Sequence, residues 1–145
     1  MPILREININ YMFRHTSSNI IGRSLNSPEL IYDVFGYLRY EPKEQFIVVN
    51  LNNQYQIMNF EVVAKGTVNQ VTLRPAEVLR TAVVINAPAI LIIHNHPSGE
   101  PQASIADIKF TEKIVKAGKL LSIEVLDHVI IGEDSFYSLK ADGVM

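Results

Sequence analysis

Two histidines stand at the end of an apolar run in a chain of 145 residues. The run Ala89–Ile93 is predicted to be a buried strand, and His94 and His96 follow it two positions apart. In an extended backbone this spacing places both imidazoles on the same side. Pro97 cannot continue a strand ladder, so we expect the chain to turn away there.

A carboxylate follows in the next predicted helix. Ser104 is of the type that caps a helix N-terminus, and Asp107 takes the third position of the first turn. Two imidazoles and one carboxylate can converge on a single cation and leave a fourth tetrahedral position for water, as catalytic zinc sites do. Bound zinc lowers the pKa of that water to about 7, and amide hydrolysis then needs a carboxylate as proton shuttle. The structural alternative is a hydrogen-bonded strand end beside an ordinary helix cap.

These residues resemble a known motif. His94-x-His96-Pro97, six residues, and then Ser104-x-x-Asp107 is similar to the JAMM metalloprotease motif of the JAB/MPN domain family. The similarity covers about Ser27 to Leu139 and is strongest to the RadC-like proteins of bacteria. Four stretches of this chain resemble that branch. They are HNHPSGEPQAS, which contains part of the motif, and RPAEVLRTAVVINA, Lys65-Gly66-Thr67 and LDHVIIG at 126–132.

The resemblance implies roles for individual residues. The implied zinc ligands are His94, His96 and Asp107. Ser104 matches the serine that helps to hold the oxyanion, a hydrogen-bond donor's role. Glu44, at the start of the strand-like run QFIVVNL, matches the general base, and Glu61 in FEVVAKG is the alternative.

Helical and strand patterns alternate along the chain, which favours an α/β fold around a mixed sheet flanked by helices. The resemblance implies the JAB/MPN-like, cytidine-deaminase-like version of it. We expect an N-terminal strand or arm over residues 1–26 and the RadC-like domain over 27–145. The predicted helices begin at Pro28, at Pro75 (ended by Asn86) and at Ser104 (ended by Ala117 and Gly118). The predicted strands are QFIVVNL, Gln54–Val63, Val68–Leu73, Ala89–Ile93, Leu120–Leu126, His128–Ile131 and Phe136–Leu139.

Composition narrows the function classes. The chain has 13 Lys and Arg, 15 Asp and Glu, and a net charge of −2, so it lacks the high pI of a typical nucleic-acid binder, although a local basic patch stays open. It has no cysteine, which excludes thiolate metal sites and thiol nucleophiles. The longest apolar run, Thr81–Ile93, contains Asn86 and Pro88 and is too short to span a bilayer. We therefore expect a cytoplasmic protein without a membrane partner.

Two function hypotheses follow. The first is a zinc-dependent hydrolase that cleaves a peptide or isopeptide amide of a protein substrate. The second is a DNA-repair or mobile-element accessory protein that acts by binding nucleic acid or protein. For the pair Asp127-His128, a hydrogen-bonded strand corner is favoured over a pair supporting the site or a second metal site. His15 is expected to be exposed. The substrate's identity and the oligomeric state stay open.

Overall fold

One mixed sheet with helices on both faces forms the folded body. The structure, a computed structural model, describes residues 2–10, 12, 23–66 and 73–145. Its α-helices are α1 (Pro28–Phe35), α2 (Pro75–Ile85) and α3 (Ile105–Leu120), and a 3-10 helix spans Gly36–Tyr40. Its strands are β1 (Glu44–Leu51), β2 (Ile57–Gly66), β3 (Ala89–Asn95), β4 (Glu124–Ile131) and β5 (Phe136–Ser138). The predicted α/β class is confirmed.

The strands lie side by side in the order β2-β1-β3-β4-β5. β1 is antiparallel to β2 and to β3, β4 is parallel to β3, and β5 is antiparallel to β4. The parallel pair is connected through α3, since parallel strands need a long crossover. β3 lies at the centre between β1 and β4, and β1 and β3 each have a neighbouring strand on both sides, which explains why both are almost continuously apolar.

Both faces of the sheet are buried. Alternate residues of β1 divide between them: Ile47 and Val49 pack on the side of α1, whereas Phe46 and Val48 pack on the side of α2 and α3. A strand covered on two sides cannot slip its register by one residue without exposing one apolar set. This rigid centre holds the ends of β1 and β3 in place.

Local sequence signals set one helix start and one helix end as predicted. The Ser27 side chain caps α1 by accepting from the Leu30 N–H, and Pro28 is its first residue. Asn86 ends α2 in the left-handed conformation, with φ of 57°.

Several predicted boundaries differ from the structure, and β2, predicted over Gln54–Val63, spans Ile57–Gly66. Gly118 does not end α3, which continues to Leu120. Its lack of a side chain serves packing instead, because a Cβ there would come within 2.5 Å of the Ile123 carbonyl oxygen. The two strands predicted over 120–131 are a single strand, β4. Asp127 and His128 therefore lie inside a strand and not at a corner.

The N-terminal region is described in part. Residues 2–10 and 12 form neither helix nor strand, and Ser24 makes an isolated antiparallel bridge to Gln56. His15, and all of the strand predicted over Val68–Leu73 except Leu73, lie outside the described residues. In the part of the chain that is described, no helix has both the length and the apolar character to cross a bilayer.

Candidate metal centre

Three elements meet at one end of the sheet. β3 ends with His94 and Asn95, and β1 begins beside them with Glu44, since the antiparallel register pairs Phe46 with His94. α3 starts nearby and presents the residues of its first turn. The buried strands thus place the predicted ligands and the predicted base at one place.

Nitrogen and carboxylate donors converge there. Ligand atoms of Glu44, His94 and His96 all lie within 4.8 Å of one another. The Nε2 atoms of His94 and His96 are 2.9 Å apart, and Glu44 Oε1 is 3.7 Å from His94 Nε2. Such a cluster can hold a metal ion.

Asp107 adds a second carboxylate. Its Oδ1 is 3.6 Å from His94 Nε2, and its Oδ2 is 3.5 Å from His96 Nε2. Asp107 Oδ2 also accepts from the Ser104 N–H at 2.8 Å, while Ser104 Oγ accepts from the Asp107 N–H at 3.0 Å. This reciprocal capping box fixes Asp107 against the helix start and keeps the carboxylate directed at the histidines.

Burial and neighbouring charges separate the pKa values of these groups. Burial lowers the pKa of His94 well below its ordinary value, and nearby His128 adds to this. The hydrogen bond to Asp107 raises the pKa of His96. Burial also raises the pKa of Glu44. For Asp107 burial acts in the same direction, but the contacts with His96, His94 and Ser104 outweigh it and the pKa is lowered.

The arrangement favours a positive charge between the rings. His96 Nδ1 lies 2.8 Å from the Glu100 carbonyl oxygen, which only accepts, so Nδ1 carries the hydrogen and neutral His96 has a bare Nε2. Two ring nitrogens 2.9 Å apart share either a proton or a metal ion. Two carboxylates beside them stabilise that charge.

Asn95 holds the start of β1. Its buried Oδ1 accepts from the Gln45 N–H at 2.7 Å, and its Nδ2 donates to the Lys43 carbonyl at 3.1 Å. These two bonds bracket Glu44. Sequence reasoning assigned Asn95 no role, although a polar side chain ending a fully apolar strand was a signal.

His128 and Thr111 lie behind His94. His128 Nε2 is 2.8 Å from His94 Nδ1, and Thr111 Oγ1 is 2.6 Å from His128 Nδ1. The alternatives for Asp127-His128 were a strand corner, a pair that supports the site and a second metal site. His128 takes the supporting role, because its ring contacts the His94 ring. Thr111 was not predicted at all, although it stands four residues after Asp107 and so lies on the same face of α3.

Glu61 lies elsewhere. Its carboxylate forms an ion pair with Arg80 at 3.0 Å, on β2 and away from the end of the sheet where Glu44 begins β1. Among the described residues, Glu44 and not Glu61 has a carboxylate in the cluster with His94 and His96.

A cleft of about 540 Å³ opens beside the donors. Its lining includes His96, Tyr32, Tyr40 and Glu133. The Arg39 guanidinium lies over both tyrosine rings. Room for a ligand therefore adjoins the cluster.

Comparison with known proteins identifies the family of this chain. The family model for the RadC-like JAB domain matches residues 25–144. A UPF0758 protein of Methanosarcina mazei is 41% identical over 122 residues, 83% of this chain and 53% of that protein. One from Methanosarcina barkeri is 43% identical over the same shares. One from Carboxydothermus hydrogenoformans is 44% identical over 114 residues, 76% of this chain and 50% of that protein. The chain spans about half the length of these curated relatives, and it belongs to the RadC-like JAB domain family.

Proposed function

We propose that this domain is a zinc-dependent hydrolase that cleaves a peptide or isopeptide amide of a protein substrate. The observation that carries the proposal is the convergence of His94 Nε2, His96 Nε2 and the Glu44 carboxylate within 4.8 Å, beside the carboxylate of Asp107. Two atoms bound to one zinc ion at about 2.0–2.2 Å in tetrahedral geometry stand roughly 3.3–3.6 Å apart. The 3.6 Å from Asp107 Oδ1 to His94 Nε2 and the 3.5 Å from Asp107 Oδ2 to His96 Nε2 agree with that spacing, whereas the 2.9 Å between the two imidazole nitrogens is shorter than it.

The two carboxylates suit different tasks. Asp107 is buried and its lowered pKa keeps it ionised, so it is assigned as the third ligand with His94 and His96. Glu44 is partly exposed and its pKa is raised, so it can exchange protons nearer to neutral pH. Zinc held by the three ligands would polarise the substrate carbonyl and lower the pKa of a bound water to about 7.

Glu44 then acts as the proton shuttle. It takes a proton from the attacking water and delivers it to the nitrogen of the leaving amine, which balances the cleavage of one amide bond. Ser104 accepts from the Asp107 N–H, and a hydroxyl that accepts keeps its own hydrogen to donate. That hydrogen is assigned to the developing oxyanion.

The charged side chains that line the adjoining cleft favour a polypeptide substrate. It carries Arg39 as well as the acidic Glu133 and Asp134, so charges of both signs face a bound segment. A polypeptide offers complementary groups of both kinds around an amide. The opening next to His96 would admit one such segment to the donors.

Metal content and hydrolysis test the proposal together. Protein purified without added zinc should contain about one zinc ion per chain, and His96→Ala should lose it. Glu44→Gln should keep the metal and lose cleavage of a panel of peptides and isopeptide-linked proteins. A wild-type protein that takes up no zinc at any supply, or a Glu44→Gln protein that cleaves as fast as wild type, would overturn the proposal.

A further inference from the structure

Three buried side chains form a hydrogen-bonded line behind the metal centre. His94 Nδ1 contacts His128 Nε2 at 2.8 Å, and His128 Nδ1 contacts Thr111 Oγ1 at 2.6 Å. Thr111 Oγ1 in turn lies 2.7 Å from the carbonyl oxygen of Asp107. All three side chains are withdrawn from solvent. Since a buried polar group without a partner is costly, each hydrogen in the line needs an acceptor.

The carbonyl at the far end sets the direction of the line. A carbonyl oxygen only accepts, so the single hydroxyl hydrogen of Thr111 is donated to Asp107. Thr111 Oγ1 then accepts, and the hydrogen in its contact with His128 belongs to His128 Nδ1. If Thr111 donated to His128 instead, two oxygen lone pairs would face each other at 2.7 Å.

The direction continues through both imidazoles. A neutral imidazole with its hydrogen on Nδ1 accepts at Nε2, so His128 Nε2 accepts from His94 Nδ1. His94 is therefore also in the Nδ1–H form, and its Nε2 lone pair points at His96 Nε2 and the carboxylates, with the proton or metal ion that the two Nε2 atoms share lying between them. This is the form in which an imidazole binds a metal through Nε2.

We propose that Thr111 and His128 are positioning residues that select this tautomer of His94 and thereby prepare its Nε2 as a metal ligand. The selection is read from hydrogen bonds alone, while its consequence for metal affinity rests on the proposed zinc site. Partners that orient a ligating histidine typically contribute 10–100-fold to metal affinity.

Packing alone does not explain the arrangement. Phe46 stacks on the His94 ring, with centroids 5.8 Å apart and planes at 23°, and meets the His128 ring edge-on at 72°. These contacts fix the ring planes. An aromatic face does not distinguish Nδ1–H from Nε2–H, so the choice of tautomer falls to Thr111 and His128.

The decisive experiment reads the tautomer directly. Long-range ¹H–¹⁵N spectra of the ¹⁵N-labelled, metal-free full chain near neutral pH show which ring nitrogen of each histidine carries hydrogen. The expected result is Nδ1–H for both His94 and His128. Hydrogen on Nε2 of His94 in the wild-type protein would overturn the proposal, whatever the variants do.

Variants of Thr111 test the cause. Thr111→Val keeps the side-chain shape but removes the hydroxyl, so a part of His94 should change to Nε2–H, and the affinity for zinc alone should fall 10–100-fold. Thr111→Ser restores the hydroxyl and should restore both readouts to within about threefold of wild type. The matched control is Thr81→Val on α2, where a threonine hydroxyl accepts from Asn50 Nδ2 at 2.9 Å; it should change neither readout.

The outcomes separate the two proposals. If His94 is Nδ1–H and Thr111→Val alters it, but the wild-type protein binds no zinc, the positioning role stands and the zinc site fails. If zinc binds tightly and Thr111→Val changes neither tautomer nor affinity, the zinc site stands and the positioning role fails.

Discussion

Two buried polar clusters lie on opposite faces of β4 and differ in how their hydrogen bonds close. Asp127 and His128 are consecutive in the strand, so their side chains point to opposite sides. The Asp127 carboxylate accepts from the His128 N–H at 2.7 Å, the Ser138 hydroxyl at 2.5 Å and the Lys140 N–H at 3.1 Å. His128 faces His94 and the donor cluster of the candidate metal centre.

The two clusters differ in whether each acceptor atom meets a hydrogen-bond donor. Around Asp127, each of these contacts joins a hydrogen to an oxygen, which is how a buried carboxylate stabilises a fold. At the metal centre, two imidazole nitrogens face each other beside the carboxylates of Glu44 and Asp107. The second cluster therefore needs a shared proton or a metal ion between its acceptors, whereas the first is complete without one.

Glu44→Gln should have the largest effect. The amide cannot shuttle a proton, so hydrolysis should fall by about 10²–10⁴-fold, as is usual when a general base is lost. Zinc content should stay at the wild-type level, because the proposed ligands are unchanged. Rates from single-turnover cleavage and metal analysis of the same preparation provide the measurements. A variant that loses zinc would instead place Glu44 among the ligands.

Asp127→Ala should affect stability and not binding. It leaves the buried His128 N–H and Ser138 hydroxyl and the part-buried Lys140 N–H without their acceptor, which predicts a loss of about 3–5 kcal/mol in the free energy of unfolding. Urea denaturation measures this loss. Zinc affinity of the folded variant should stay within about threefold of wild type. Ser138→Ala, which removes one donor to Asp127 and the acceptor of the Ala141 N–H, is the matched control and should lose about 1–2 kcal/mol. A stable Asp127→Ala protein with impaired zinc binding would reverse the division between the clusters.

Local signals in the sequence were enough for the elements that bear the proposed ligands. Ser27 marks a helix start through its capping side chain, Asn86 marks a helix end through its left-handed backbone, and the apolar run before His94 marks a central strand. The spacing of His94, His96 and Asp107 is also local, since a strand end and the next helix start carry all three. Their arrival at one place was therefore predictable.

Contacts between distant segments were not predictable in the same way. His94 and His128 are 34 positions apart, and they meet because β3 and β4 are parallel in a register that pairs Ile92 with His128. No short-range pattern encodes that register. The true end of α3 was hidden for a related reason, since Gly118 serves a close approach to Ile123 and not a helix stop.

Acid should destabilise the metal-free protein through His128. Burial lowers its pKa to about 4 from an ordinary value of 6.5. Between these values the unfolded chain binds more protons than the native one, so stability is present above pH 6.5 and is lost as the pH falls towards 4. The loss from His128 alone is about 3 kcal/mol.

Asp127 acts in the opposite sense. Burial raises its pKa, so its contribution is present at low pH and is lost as the pH rises through the folded value. Asp127→Asn should therefore make the rise of stability with pH steeper than in wild type. Urea unfolding in the presence of a chelator, at several pH values, measures both slopes. A flat profile for the Asp127→Asn protein would show that neither His128 nor His94, whose pKa burial also lowers, titrates as a buried neutral base.

Glu61→Gln should have the smallest effect. Its partner Arg80 has a side chain that is 58% exposed, and exposed ion pairs contribute about 0–1 kcal/mol. We expect unchanged zinc content, an unchanged rate of hydrolysis and a stability within 1 kcal/mol of wild type. Measured beside Glu44→Gln, it is the same substitution at the other candidate base. Because the Glu61 carboxylate is paired with Arg80 and lies apart from the histidines, a rate loss at Glu61 would mean that the proton shuttle lies outside the cluster of His94 and His96.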